Sequence, residues 1–133
     1  MSDEVSRLSF SLKRRRVLIH RSTLRALGMP QNIRFLLNKK KVRVAVQCCE
    51  AIDRDFFAVP DLKPSETFEI SSINFLKMVY RLAKWDEDRS YRVSGTLFRV
   101  NRLAEFDLNN AEAISDADFV DQETVSLQKP DRA

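Results

Sequence analysis

The chain has 133 residues, 44% of them apolar, with 23 Lys/Arg against 19 Asp/Glu and a formal net charge of +4. That length makes one domain, or two very small ones, around a core of modest size. No apolar run approaches the ~20 residues that a membrane span needs, and Met1-Ser2-Asp3-Glu4 is acidic where a signal peptide would turn apolar. A cytoplasmic protein with no membrane partner is therefore expected.

Ser9 to Ser11 and Arg16 to His20 read as extended, because Val17, Leu18 and Ile19 follow no helical period. Arg21-Ser22-Thr23 then offers N-cap hydroxyls to a helix of one or two turns with Leu24 and Leu27 on one face. Gly28 stands where a left-handed C-cap is expected, and Pro30 blocks continuation. Ile33 to Leu37 and Val42 to Val46 alternate around the polar turn Asn38-Lys39-Lys40-Lys41 and predict a β-hairpin. A further short strand is read at Phe56 to Val59, ended by Pro60.

Asp61 to Glu66 reads as a linker. After it come a short strand at Phe68 to Ile70 and a helix from Ile73 to Ala83, capped by Ser71 or Ser72. Its apolar stripe is Ile73, Leu76, Val79, Tyr80 and Ala83. A turn at Trp85 to Arg89 leads to a second hairpin, Tyr91 to Phe98 and Leu103 to Leu108. Gly95 inside that hairpin marks a bulge or a close backbone approach. Each half thus reads strand, helix, strand, strand, a repetition of element order rather than of residues. The expected fold is α+β. Two β-α-β-β halves, residues 1–62 and 63–108, share one core as a small β-barrel or sandwich. Residues 109–133 form an acidic tail, mostly disordered, with a short helix around Ala111 to Val120 left open.

The net charge hides an asymmetry. Residues 1–50 carry 12 cations against 3 acids, residues 51–104 carry 9 against 8, and residues 105–133 carry 2 against 8. A basic head calls for a polyanionic partner, and the acidic tail is able to contact the basic half of its own chain. Backbone phosphates need cations that track a duplex, and arginine adds bidentate geometry. The candidate contact residues are Lys13, Arg14, Arg15, Arg16, Arg21, Arg25, Arg34, Lys39, Lys40, Lys41 and Arg43. The competing reading is an ordinary solvated charged surface.

Arg16-Val17-Leu18-Ile19-His20-Arg21, followed by Leu24-Arg25-Ala26-Leu27-Gly28-Met29, resembles the AbrB-type swapped-hairpin DNA-binding domains. Their pattern is a short R-I-x-I-P-K strand, a helix of one or two turns ending R-x-L-G-I, and a β-hairpin. The resemblance spans Arg15 to Val46. It departs at His20, where the pattern has Pro, and at Asn32-Ile33, where it has Gly-Asp. It implies duplex DNA contacts at Arg16, Arg21 and Arg25, and two such units fused in one chain. It leaves room for a homodimer, since the family dimerises by exchanging hairpins.

Catalytic chemistry finds little to work with. His20 has no second histidine to share a metal, and no nucleophile context surrounds it. Cys48 and Cys49 are adjacent, a spacing that suits neither a disulfide nor a zinc site, and read as reduced thiols at a strand end. Asp53, Asp55, Asp86, Glu87 and Asp88 read as solvated turn residues. With Gly28 and Gly95 as the only glycines, no phosphate-cradling loop forms. No cofactor, no metal and no enzymatic activity are expected. The expectation is a duplex DNA-binding protein, a transcriptional regulator by type. The alternatives are a protein-interaction or scaffold module without nucleic acid, and an RNA or single-strand binder that stacks bases on Phe10, Phe35, Phe56 or Phe57.

Overall fold

The computed structural model describes residues 6–50, 56–62, 66–119 and 123–126. The turn acids Asp53 and Asp55, the linker positions 63–65 and the tail positions 120–122 and 127–133 lie outside the described residues. The chain begins with β1 (Ser6–Ser11), β2 (Arg16–Ile19), α1 (Arg21–Ala26), β3 (Asn32–Asn38), β4 (Arg43–Cys48) and β5 (Phe57–Ala58). It continues through β6 (Glu66–Ile70), α2 (Ile73–Ala83), β7 (Ser90–Phe98) and β8 (Leu103–Asp107). A 3-10 turn (Leu108–Asn110), β9 (Glu112–Ile114), α3 (Asp116–Phe119) and β10 (Glu123–Ser126) follow.

The strands form one curled, half-barrel sheet in the order β10-β6-β2-β1-β7-β8-β4-β3-β5, with β9 against β7. Three hairpins build it: β1–β2, β3–β4 and β7–β8. Each has a four-residue loop whose last residue is left-handed: Arg15 (φ 61°), Val42 (φ 56°) and Arg102 (φ 54°). That conformation strains a residue with a Cβ by roughly 1–2 kcal/mol. Local hydrogen bonds hold it, Arg15 N–H to the Leu12 carbonyl and Arg102 N–H to the Arg99 carbonyl, both 3.1 Å.

Both longer helices end alike. Met29 N–H reaches back to the Leu24 carbonyl (2.8 Å) and Trp85 N–H to the Tyr80 carbonyl (3.0 Å), with Gly28 (φ 84°) and Lys84 (φ 59°) left-handed at the turn. This is the C-cap geometry in which a 6→1 bond satisfies an orphan carbonyl. The N-termini differ from expectation. His20 and Ser72 occupy the N-cap positions, and neither makes a side-chain cap bond. Thr23 instead turns onto β1, where its Oγ1 accepts from Arg7 N–H and donates to the Arg7 carbonyl, both at 2.8 Å. It thereby pairs strand groups left over where α1 departs.

One continuous core draws on early and late strands and on both longer helices. Leu8, Phe10, Val17 and Ile19 from the first hairpin and Phe68, Ile70, Val93 and Phe106 from later strands are fully buried, with Leu24, Leu76 and Val79 from the helices. Phe75 of α2 stacks on Phe35 of β3 (4.5 Å), and Trp85, just after α2, stacks on Tyr91 of β7 (4.4 Å). Gly95 is a close-approach position: a Cβ there would lie 2.5 Å from the Phe106 ring.

The acidic segment expected to lack regular structure contributes elements of its own. β9 pairs with β7 from Ser90 to Arg92, and Phe119 at the end of α3 is only 3% exposed.

Candidate nucleic-acid interface

Strand register decides which cations share a surface. Ser11 pairs with both Arg16 and Ser90, Gly95 pairs with Phe106, and Arg43 pairs with both Asn38 and Asp107. The β1–β2 turn and the β3–β4 turn therefore leave the same end of the sheet. Three strand spacings, about 14 Å across the sheet, and a stagger of four residues along β7, from Ser90 to Ser94, separate the two turns. Lys13, Arg14, Arg15 and Arg16 stand at one turn, and Lys39, Lys40, Lys41 and Arg43 at the other.

Arg21 and Arg25 are not with them. They lie on α1, beyond the opposite end of β2, about 13 Å along a strand from Arg16. Arg21 is half-buried, and its Nη1 donates to the Leu62 carbonyl (3.1 Å). Arg34 points across the hairpin and donates through Nε and Nη2 to Gln47 Oε1 (3.1 and 3.0 Å). The eleven candidates thus divide into eight at one end of the sheet and three away from it.

Several of the eight already have partners within the chain. Asp116 of α3 takes both Lys13 (3.4 Å) and Arg14 (3.6 Å), so the acidic segment does meet the basic turn. Arg16 pairs with Glu69, and Arg43 with Glu105 (2.9 Å) and more distantly Asp107 (4.0 Å). Arg15, Lys39, Lys40 and Lys41 are exposed and form no ion pair among the described residues. The paired cations are themselves about 40% exposed, and exposed pairs of this kind contribute ~0–1 kcal/mol, little enough for a polyanion to displace.

His20 has a structural role. Its Nε2 shares a 2.7 Å hydrogen bond with Ser9 Oγ, and both residues are buried. Burial, reinforced by the charges of Arg92 and Arg7, lowers its pKa to about 4, so it is neutral at pH 7. A serine hydrogen-bonded to a histidine is the start of a nucleophilic pair. Ser9, however, is 0% exposed and presents no surface to a substrate. Cys48 ends β4, its thiol donating to the Leu27 carbonyl (3.6 Å) and its pKa raised by burial; Cys48 and Cys49 are both reduced. Among the described residues no three His, Cys, Asp or Glu side chains gather to hold a metal, and no helix is long and apolar enough to cross a membrane.

Two of the aromatics considered for base stacking are structural. Phe10 is fully buried, and Phe35 is half-buried between Phe57 and Phe75. Sequence reasoning also missed two cations, Lys77 and Arg81 on α2, which face the β1–β2 turn. Their i, i+4 spacing on an exposed helical stripe was the available signal.

Comparison with protein-family models, with curated proteins and with solved structures returns no match. The AbrB-type resemblance therefore rests on the residues of this chain.

Proposed function

We propose that the chain is a non-enzymatic duplex DNA-binding protein, of the transcription-regulator kind, that meets phosphates with its two basic turns. The observation that carries this reading is the placement of the β1–β2 and β3–β4 turns at one end of one sheet. Arg15 and Lys39 to Lys41 supply charge with no ion pair among the described residues, and Lys13 and Arg14 add to it once Asp116 is displaced. Arg16 belongs to the same end; Arg21 and Arg25 do not, so a base-reading role for them needs a duplex that wraps past β2.

The reading includes a tandem of two AbrB-like units around one core. The β2-α1-β3-β4 and β6-α2-β7-β8 segments have the same element order. Their equivalent strands meet in the antiparallel pairs β2–β6 and β4–β8, as two halves around a local two-fold axis would. A fused pair satisfies within one chain the pairing that swapped-hairpin domains obtain by dimerising.

A second reading, a protein-interaction module without nucleic acid, is favoured by the ion pairs that already engage Lys13, Arg14, Arg16 and Arg43. The test is fluorescence anisotropy of a labelled duplex with wild type and with Lys39, Lys40 and Lys41 all replaced by Ala. The DNA reading expects affinity to fall by the same factor on unrelated sequences, because phosphate contacts carry no sequence information. Equal binding by the two proteins would remove the β3–β4 turn from the interface.

A further inference from the structure

A cleft of about 560 Å³ lies between the β1–β2 turn, α2 and the turn that follows α2. Leu12 and Ile73 form its apolar part. Lys13, paired with Asp116, and Arg15 come from the turn, and Lys77 and Arg81 come from successive turns of α2, one helical step apart on the same stripe. Glu87 and Asp88 line it as well. None of the three cations Arg15, Lys77 and Arg81 forms an ion pair among the described residues, although both carboxylates are near enough to line the same cleft.

The two supporting elements are tied together. Ser71 Oγ, just before α2, donates to the Arg15 carbonyl (3.3 Å), and Tyr80 of α2 donates to the Arg89 carbonyl (2.6 Å) beyond the acidic turn. The cleft wall is thus built on a helix anchored at both ends. Cations from two elements thus line one cleft, and the guanidinium of Arg15 or Arg81 has the fork geometry that grips a phosphate bidentately. The volume falls within the range of roughly 300–1,000 Å³ typical of small-molecule sites.

The carboxylates select the kind of ligand. A nucleic-acid backbone running through the cleft would bring further phosphates against Glu87 and Asp88, whereas carboxylates accept hydrogen bonds from hydroxyl groups. We propose that the cleft binds a small phosphorylated ligand rich in hydroxyls, of the sugar-phosphate class, with the phosphate on Arg15, Lys77 and Arg81 and the hydroxyls on Glu87 and Asp88. The site shares Arg15 with the duplex reading but adds Lys77, Arg81, Glu87 and Asp88, so substitutions at those four test it apart from that reading.

The test is calorimetric titration of the full chain with ribose 5-phosphate, inorganic phosphate and ribose. Ribose 5-phosphate is expected to bind saturably, more tightly than inorganic phosphate, and ribose not at all. Lys77→Ala with Arg81→Ala changes an exposed helical stripe to the best helix former, so the fold is kept. It should weaken ribose 5-phosphate about tenfold or more, the effect of losing charge-assisted bonds. Arg15→Gly removes the third cation while relieving its left-handed backbone, and should weaken binding without loss of thermal stability. Glu87→Gln with Asp88→Asn should leave inorganic phosphate unchanged and erase the advantage of ribose 5-phosphate. No saturable heat from ribose 5-phosphate up to about 10 mM, beyond the weakest useful affinity, would overturn the proposal. So would an equal affinity for ribose 5-phosphate in the Lys77→Ala, Arg81→Ala protein. Duplex DNA is the last probe: that variant should bind it like wild type, and a parallel loss of both ligands would assign the cleft to the polyanion surface instead.

Discussion

Lowering the pH below 6.5 should destabilise the protein through one residue. His20 is 7% exposed, hydrogen-bonded to Ser9, and faced by Arg7 and Arg92. Its pKa is lowered from 6.5 to about 4, first by burial and then by those two charges. In the unfolded chain the imidazole takes a proton at pH 6.5; in the folded chain it resists until about 4. Protonation therefore favours the unfolded state, and stability present above pH 6.5 is lost as pH falls towards 4. The full difference amounts to about 3 kcal/mol, and about 2 kcal/mol of it should be gone by pH 5. Urea denaturation at pH 7.5, 6.5, 5.5 and 5.0 measures this directly. His20→Gln keeps a hydrogen-bonding group near Ser9 and cannot titrate, so its stability should be nearly flat over the same range whatever its absolute value. Parallel pH profiles for wild type and variant would refute the reasoning and mean that His20 is charged, or solvated, in the folded protein.

Other outcomes follow from packing and charge. Gly95→Ala should cost on the order of 2–3 kcal/mol in denaturant melts, because the new Cβ meets the immobile Phe106 ring at 2.5 Å and the Glu105 carbonyl at 2.8 Å. Asp116→Asn should release Lys13 and Arg14 and raise duplex affinity at low salt, read by anisotropy; unchanged affinity would leave those cations outside the interface. Residues 1–62 and 63–108 expressed separately should show no cooperative thermal transition, since β1–β7, β2–β6 and β4–β8 all pair across that division.

Local pattern made much of this fold legible. The helix Ile73–Ala83 declared itself by its stripe, and β3–β4 and β7–β8 by alternation around polar turns. Gly28 and Gly95 were readable because a glycine in a chain with only two marks a backbone constraint. What stayed hidden was set by distant partners. Thr23 looked like a cap but serves Arg7, 16 residues away. The Lys13–Asp116 and Arg43–Glu105 pairs join residues 103 and 62 positions apart, so the basic head looked more uniformly available than it is. Its division between two ends of the sheet depends on register, which no count of charges contains. The cleft cations Lys77 and Arg81 were masked by the near-balanced charge of residues 51–104, and only the approach of the β1–β2 turn gives them a shared purpose.

Whether the two basic turns meet duplex phosphates is read from the salt dependence of duplex binding. If Arg15, Lys39, Lys40 and Lys41 each meet one phosphate, about four contacts in all, log affinity against log salt should fall with a slope of about −3.6. Displacing Asp116 from Lys13 and Arg14 would steepen it to about −5.4. A slope between those values, the same for unrelated duplexes, is expected. A wild-type protein that binds no duplex even at about 50 mM salt, where counterion release favours binding most, would contradict it and leave the protein-interaction reading in its place.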